Sequence, residues 1–359
     1  MRERRQIVEL WRRGLGVDAV LVTLVRAEGS SYRRPGARLL IDAGEHAGTI
    51  SGGCLEAEVM RKAAWMVRNG SVVQPCSMMF DDTAEIPFGL GCGGVVDLLL
   101  ERGGTPEFEA LLRAMEGSLR GETARVMSWL PGEGSQLRRA VWDADGVVAF
   151  ASAGLSAGEL ARADGQVYVE ELTAPQRLVV FGAGDDARPL VSMAALLGWS
   201  VEVMDGRAQL ATAARFPEAE RVVATDEAVE LHAGDAMVIM THSYEQDRDF
   251  LLAALASEVR YIGLLGSRYR SSLLVREAAM ELGKPLAECC ARMHAPVGLD
   301  LGGDGPEAIA LAVTAEVQAV CQEKSAGFRQ MTAEDVEEQI RRGGEPEYMK
   351  ARCALDAAE

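Results

Sequence analysis

The chain has 359 residues, of which 48% are hydrophobic and 25% are charged, a balance typical of a soluble globular protein with two domains. Its formal charge of −17 and its aromatic content of 5% argue against binding to nucleic acid or to anionic membranes. Phosphate-rich surfaces select for an excess of lysine and arginine, which this chain lacks.

The N-terminus is charged, and Ile7, Leu10 and Trp11 are spaced as on one face of a helix. It lacks the apolar core of a signal peptide, and no run of about 18 apolar residues predicts a membrane span. The chain contains seven cysteines, an odd number. Together these features predict a cytoplasmic protein with free thiols.

Residues 1–174 predict an N-terminal α+β domain. Two strands rich in valine and leucine are predicted at 19–27 and 37–42, joined by a hairpin-like connection. A third short strand is predicted to end at residues 51–53, and a helix follows over 55–67. The other elements predicted in this domain are strands at 71–80 and 95–101 and a helix at 105–120.

Residues 175–327 predict a Rossmann-type domain, a doubly wound parallel sheet covered by helices. A buried strand at 177–181 leads directly into a G-x-G-x-x-A motif, and a helix and a second strand ending at Asp205 follow. This order is that of the dinucleotide-binding fingerprint. Two more strands are predicted at 236–240 and 260–264. Residues 328–359 predict a charged C-terminal tail with a short helix after Thr332.

The glycine loop has the features that accept a phosphate. Gly182 permits the tight turn, and Gly184 lets a pyrophosphate approach the backbone at the N-terminus of the following helix. Asp205 suits a ribose hydroxyl group. Arg207, two residues later, leaves the choice between NAD and NADP open.

Two acidic residues within the same loop complicate this interpretation. Asp185 and Asp186 would repel a pyrophosphate unless they point away from it or a cation intervenes. A Rossmann domain without a bound nicotinamide therefore stays an open alternative.

Two further groups of residues stand where the third and fourth predicted strands of this domain end, which is the edge where such sheets bind ligands. These groups are Thr241-His242 and Gly266-Ser267-Arg268. The structural alternative is that His242 only ends a strand and that Arg268 only pairs with a nearby carboxylate.

Two glycine-rich loops of the first half carry cysteines. Cys54 stands at the start of a predicted helix, where the helix dipole favours a thiolate, and Cys92 stands among glycines whose N–H groups can bind an anion. The structural alternative is a tight turn with a small buried cysteine at each place. We expect no zinc site, because Cys54, Cys76 and Cys92 lack the paired spacing of zinc ligands.

A local group of arginines lies in this otherwise acidic half and suits a phosphate or another compact anion. Its members are Arg26, Arg33, Arg34 and Arg38. The alternative is that they form surface ion pairs with Glu28 and Asp42.

These motifs, in this order over roughly residues 10–320, resemble the XdhC/CoxI family of accessory factors for molybdenum hydroxylases. The matching segments are 28–31, 34–37, 51–56, 89–94, 181–184, 205–207, 241–242, 261–268, 296–302 and 306–310. One departure is Asp185, where the family pattern leads us to expect histidine. This puts any ligand chemistry of that histidine in doubt here.

The resemblance implies a maturation factor without turnover of its own. Such a chaperone would bind the molybdenum cofactor (molybdopterin), support its sulfuration with a cysteine desulfurase, and insert it into an apo molybdenum hydroxylase resembling xanthine or carbon monoxide dehydrogenase. The alternatives are an NAD(P)-dependent oxidoreductase and a persulfide carrier using Cys54 or Cys92. A homodimer is expected, because Rossmann domains often associate.

The residues expected to bind the cofactor come from both halves of the chain. They are Arg34, Gly52, Gly53, Cys54, Gly91, Cys92, Gly93, Gly182, Gly184, Asp185, Asp205, Arg207, Thr241, His242, Gly266, Ser267, Arg268 and Asp300.

Overall fold

The computed structural model describes residues 1–14, 16, 18–29, 31–53, 55–77, 95–132, 135–161, 166–225, 230–325, 327, 332–334, 338 and 341. The chain forms two compact units. The first contains Glu3–Ala174, and the second contains Pro175–Gly327 together with Met1–Arg2. Within the described residues, no helix has the length and apolar character needed to cross a membrane. The helix predicted after Thr332 falls largely outside the described part of the chain.

The first unit combines two antiparallel sheets with short helices. Its elements are α1 (Arg2–Arg12), β1 (Val20–Glu28), β2 (Arg38–Asp42), β3 (Glu45–Gly48), α2 (Glu56–Met66), β4 (Val72–Ser77), β5 (Val95–Arg102), α3 (Pro106–Leu119), β6 (Ala124–Trp129), β7 (Arg138–Trp142), β8 (Val148–Ala151), α4 (Ala157–Ala161) and β9 (Val167–Leu172). One sheet has the strand order β3-β2-β1-β5-β4, and the other has the order β8-β7-β6-β9.

The first six residues of the central strand β1 are buried on both faces, which explains why all of them except Thr23 are apolar instead of alternating with polar residues. Val20 and Val22 pack with α2 residues such as Ala63 on one face. Leu21 packs on the other face with residues of α1, α3 and the second sheet. The two faces of β1 therefore contribute to two separate hydrophobic cores.

One sequence prediction for this unit is wrong in its boundary. The sequence predicts that the third strand ends at residues 51–53, but β3 ends at Gly48. The backbone N–H groups of Ile50 and Ser51 donate to the Glu56 carboxylate instead, at 3.1 and 2.8 Å. Because a side chain takes up these donors, the backbone leaves the strand ladder before the glycines.

The second unit is a Rossmann-type fold, as predicted. Its elements are β10 (Arg177–Phe181), α5 (Ala187–Leu196), β11 (Ser200–Asp205), β12 (Arg221–Ala224), β13 (Ala236–Ile239), α6 (Tyr244–Ala256), β14 (Tyr261–Leu264), α7 (Arg268–Leu282), α8 (Leu286–Ala291), β15 (Met293–His294) and α9 (Pro306–Cys321). All pairings in its sheet are parallel.

The strand order of this sheet is β12-β11-β10-β13-β14-β15. The order reverses between β10 and β13, and loops that leave neighbouring strands in opposite directions open a crevice at such a point. Two apolar cores cover the two faces of the sheet. The α/β fold class with an N-terminal α+β region is thus confirmed, and the crevice lies at the carboxyl ends of β10 and β13.

Candidate functional site

The glycine loop after β10 is tightly packed against the loop after β13. Gly182 has φ +126°, and a Cβ built on it would lie 2.3 Å from the carbonyl oxygen of Met240. The Gly182 N–H donates to the carbonyl of Met204 at 2.8 Å. Gly182 therefore lies where the loops after β10, β11 and β13 meet, and only glycine fits there.

Asp205 at the end of β11 stabilises this loop through hydrogen bonds. Its side chain is fully buried, and one oxygen accepts hydrogen bonds from the Ala183 N–H and from Arg207 Nη2, both at 2.7 Å. The other oxygen accepts from the backbone N–H and Nε of Arg207 at 2.8 and 2.9 Å. A ribose hydroxyl could reach Asp205 only by displacing one of these donors.

The same contacts set the protonation behaviour of Asp205. Burial alone would raise the pKa of its carboxyl group, but the Arg207 guanidinium and the two backbone N–H groups outweigh burial and lower the pKa. An acid with a lowered folded-state pKa stabilises the fold above its unfolded pKa, near 3.9, and loses that contribution as the pH falls through the folded value.

We therefore expect the second unit to lose stability at acid pH below about 4 through Asp205. Glu316, whose pKa is also lowered, adds to the same trend. The free energy of unfolding, measured by urea titration across this range, should fall less steeply in Asp205→Asn than in the parent. An equal pH dependence in the two proteins would contradict the assignment.

Thr241 connects the crevice to the helices α6 and α7 through contacts that the sequence did not reveal. The buried carboxylate of Asp247 accepts from the N–H and the hydroxyl of Thr241, at 3.1 and 2.6 Å. Arg270 donates to the other Asp247 oxygen at 2.6 Å. Asp247 and Arg270 each lie in the first turn of a helix after a serine N-cap, and that position is the one signal that could have indicated them.

The acidic residues of the glycine loop have side-chain partners from other loops. Asp185 is largely exposed and pairs with Arg215 at 2.9 Å. Asp186 is mostly buried, and its Oδ2 lies 2.8 Å from Nε2 of His242. Each of these two carboxylates thus has a cationic or titratable partner from another loop. His242, for which the sequence predicts no partner, lies in the crevice and does more than end a strand.

The remaining expected residues of this unit lie along the same edge or near it. Gly266 and Ser267 follow β14, and the Ser267 hydroxyl caps α7 by accepting from the Arg270 N–H at 3.3 Å. Arg268 and Asp300 are exposed, and neither side chain bonds to another described residue. The predicted alternative in which Arg268 pairs with a carboxylate is therefore wrong within the described chain.

A second polar cluster lies behind β14 and was missed by sequence reasoning. The buried Tyr261 hydroxyl donates to Glu316 at 2.5 Å, and the Gly298 N–H donates to the same oxygen at 2.8 Å. His294 Nδ1 lies 3.1 Å from the other Glu316 oxygen, and its ring stacks on Tyr261 at 4.5 Å. Glu316 thereby holds the loop that leads to Asp300.

In the first unit, the loop around Gly52 and Gly53 is fixed by side chains. Ser51 donates its hydroxyl to Glu56 and accepts from the N–H groups of Gly53 and Leu55, at 3.2 and 3.1 Å. Burial would raise the pKa of Glu56, but hydrogen bonds from Ser51 and the backbone lower it. Gly53 has φ +107°, with open space where a side chain would stand. The described part of the loop is therefore held by several hydrogen bonds and is open at Gly53.

The four arginines predicted as an anion-binding group in this unit differ in their partners. Arg26 pairs with Glu28, Arg33 with Glu3, and Arg38 with the nearly buried Glu170. Arg34 is exposed, and its side chain bonds to no described residue. The predicted surface pair with Glu28 is thus found for Arg26 alone, and Asp42 pairs with none of the four. Arg33 and Arg38 have other partners, and among the described residues Arg34 is the member of the group without one.

The thiols predicted as site residues are not among the described part of the chain, since Cys54, Gly91, Cys92 and Gly93 lie outside it. Burial, with Glu58 and Asp97 nearby, raises the pKa of Cys76 to about 11, so its thiol stays protonated at neutral pH. Among the described residues, no three acidic, histidine or cysteine side chains are grouped as metal ligands.

Comparison with protein families adds a second line of observation. The family described as the XdhC Rossmann domain matches residues 178–317, and the XdhC and CoxI family matches residues 13–74. These two regions contain the Rossmann loop and the Ser51–Gly53 loop, respectively.

Known relatives match over most of the chain. A Bacillus subtilis protein, named as a probable xanthine dehydrogenase subunit, is 31% identical over 84% of this chain and 92% of its own length. The Escherichia coli "Molybdenum cofactor insertion chaperone PaoD" is 27% identical over 85% of this chain and 84% of its own. A crystal structure of a Bacillus halodurans xanthine dehydrogenase superposes with a TM-score of 0.77 at 25% identity, covering 93% of this chain and 99% of that one.

Proposed function

This chain belongs to the XdhC and CoxI family, and on that premise we propose that it is a chaperone that binds the molybdenum cofactor and inserts it into an apo molybdenum hydroxylase. Support comes from the relative named as a molybdenum cofactor insertion chaperone, which matches over most of both chains. The relative named as a xanthine dehydrogenase subunit favours a client of the xanthine dehydrogenase type.

The observation that carries the proposal is the hydrogen-bonded, open loop at Ser51–Gly53, in the same unit as Arg34, whose side chain has no partner among the described residues. Molybdopterin is a compact anion because it carries a phosphate, and a free guanidinium can bind a phosphate through two parallel hydrogen bonds. A loop held by Glu56 and Ser51 needs no reordering to accept a ligand, which lowers the entropic cost of binding.

We expect Arg34→Ala to weaken retention of the cofactor about tenfold, because a hydrogen bond between charged groups contributes roughly 1.5–3 kcal/mol. Molybdenum content and pterin fluorescence, measured after purification from cells that make the cofactor, report this loss. Arg61→Ala is the matched control, since Arg61 is also exposed and has no side-chain partner among the described residues. Equal retention in both variants would remove Arg34 from the site.

The proposal includes finer steps. With a cysteine desulfurase as donor, the chain supports sulfuration of the cofactor before transfer, and its clients extend to enzymes of the carbon monoxide dehydrogenase type. We place it in the cytoplasm as a homodimer. A folded chain that neither binds the cofactor nor activates an apo-hydroxylase would sink the proposal as a whole.

A role for the thiols is part of the same proposal. Cys54 or Cys92 would contact the soft metal–dithiolene end of the cofactor, or would carry a persulfide as a sulfur donor. Mass spectrometry after incubation with a cysteine desulfurase separates these roles, because only a carrier gains the mass of sulfur. Cys290→Ala, at an exposed cysteine of the second unit, is the control for Cys54→Ala and Cys92→Ala.

The alternative of an NAD(P)-dependent oxidoreductase draws less support from the crevice. The Rossmann loop has the required glycines, but Asp205 is occupied by Arg207 and Ala183. The residues present therefore do not fit a nicotinamide dinucleotide in the usual way. Absence of NADH or NADPH binding at millimolar concentration would leave this alternative without support.

A further inference from the structure

The space directly above Gly184 holds a carboxylate. In dinucleotide-binding loops the second glycine leaves room for the pyrophosphate to approach the backbone. In this chain a Cβ built on Gly184 would lie 2.4 Å from Oδ1 of Asp186. The room that the glycine provides is therefore filled by the side chain of Asp186.

Asp186 is held in this position from the opposite side of the crevice. Its other oxygen, Oδ2, lies 2.8 Å from Nε2 of His242, which comes from the loop after β13. The side chain is only 17% exposed, and it makes no capping hydrogen bond to the first turn of α5. An aspartate at the N-cap position usually accepts hydrogen bonds from the free N–H groups of the first turn. Asp186 does not, and its side chain is oriented by His242 instead.

The backbone of His242 is itself in an unusual conformation. Its φ is +64°, in the left-handed region that is uncommon for residues other than glycine, although histidine, asparagine and aspartate adopt it more often than most. Such strain persists only where surrounding contacts enforce it, and it concentrates at functional sites. Here it turns the imidazole toward Asp186.

The two carboxylates of this loop disfavour the binding of an anion there. A diphosphate at Gly184 would lie beside the Asp186 side chain and near that of Asp185, and like charges at such distances repel. Two guanidinium groups beside the loop, those of Arg207 and Arg215, are already paired with Asp205 and Asp185. Arg188, in the first turn of α5, is exposed and has no side-chain partner among the described residues, so it is the one cation there that offsets the two carboxylates. A pyrophosphate could enter only if Asp186 left His242 and turned away from the loop.

We propose that Asp186, held by His242, is a specificity residue that keeps diphosphates, and with them nicotinamide dinucleotides, out of the Rossmann loop. The benefit of this exclusion rests on the proposed function. Nicotinamide dinucleotides are abundant and usually bind at this loop of a Rossmann fold, so a cofactor carrier benefits if they cannot bind there. The exclusion itself is a property of the loop and can be measured without the cargo.

The test is titration of the full-length chain with inorganic pyrophosphate in low-salt buffer, followed by calorimetry. Pyrophosphate needs only the loop, so its binding does not depend on contacts for adenine or nicotinamide. We expect Asp186→Ser to bind it about tenfold or more tightly than the parent, because one negative charge within a few ångströms is removed. Serine is a good N-cap, which preserves the start of α5.

Two further variants make the outcome specific. His242→Asn tolerates the left-handed φ and frees Asp186 without removing its charge, so its affinity should lie between those of the parent and Asp186→Ser. Asp304→Ser removes the same charge from an exposed residue without a partner in the described chain, and it should change the affinity less than about twofold.

Equal affinities of the parent and Asp186→Ser, or an equal gain in Asp304→Ser, would overturn the proposal. The outcome is independent of the proposed function, since cofactor retention is measured separately in the same proteins. If the parent fails to retain the cofactor but Asp186→Ser gains pyrophosphate binding, only the chaperone function is lost. If the parent retains the cofactor but no variant gains pyrophosphate binding, only the exclusion is lost.

Discussion

Replacing Gly182 with alanine is expected to destabilise the Rossmann unit by at least about 3 kcal/mol. A positive φ costs an alanine roughly 1–3 kcal/mol. The added Cβ would also lie 2.3 Å from the Met240 carbonyl oxygen and 2.9 Å from the Thr241 amide nitrogen. These are backbone atoms, so the clash is relieved only by separating the loop after β10 from the one after β13.

Gly184→Ala is the matched control for this prediction. Gly184 does not have a positive φ, and the atom that its Cβ would meet is the end of the Asp186 side chain, which can move aside at the cost of one partly exposed hydrogen bond to His242. We expect a loss below about 1 kcal/mol there. Native-state hydrogen exchange of peptides covering β10 and β13, measured over a urea series, yields both values. A smaller loss for Gly182→Ala than for Gly184→Ala would contradict the packing described.

Replacing Arg139 with methionine is expected to destabilise the first unit by about 3–5 kcal/mol, the range found when one partner of a buried ion pair is removed. Arg139 and Glu101 are both almost completely buried and are joined by two hydrogen bonds, at 2.7 and 3.2 Å. Arg139 also donates to Ser128 at 3.0 Å and to the Glu107 carbonyl at 2.7 Å. The substitution leaves the Glu101 charge uncompensated between the two sheets.

Two comparisons isolate this effect in urea unfolding. Arg138→Met changes the adjacent residue, whose ion pair with Glu159 is about one-third exposed, and it should have little effect. The double variant Arg139→Met with Glu101→Leu should recover most of the loss, because a well-packed apolar pair replaces a buried ion pair at little cost. Failure of the double variant to recover would mean that Ser128 and Glu107 carry the stabilisation instead of the charge pair.

Most strands and helices of this chain could be predicted from the sequence, because the spacing of apolar residues indicates which side chains are buried. The strand predicted at 177–181 coincides with β10, since a run buried on both faces contains only apolar residues. Strands β12 and β15 were not predicted. They have four and two residues, and neither is fully buried, so neither leaves a recognisable pattern.

The contacts within the site were less predictable than the fold that carries it. The glycine motif identifies the loop at Gly182, because backbone geometry demands that residue type at that place. The pairing of Asp186 with His242 joins residues 56 positions apart, and no local pattern specifies such a partner. The same holds for Glu316, whose three donors come from β14, β15 and the loop after them.

The pairing of strands β1 and β5 determines how early the first unit can fold during synthesis. Strand β1 pairs with β5 from Val20↔Arg102 to Glu28↔Val95, so one buried edge of β1 has no partner until β5 has left the ribosome. At about 5–20 residues per second, that delay lasts several seconds. An apolar strand with an open edge is the kind of surface that aggregates or recruits holdases. The first unit is thus exposed to aggregation early in its own synthesis, before β5 is available to cover β1.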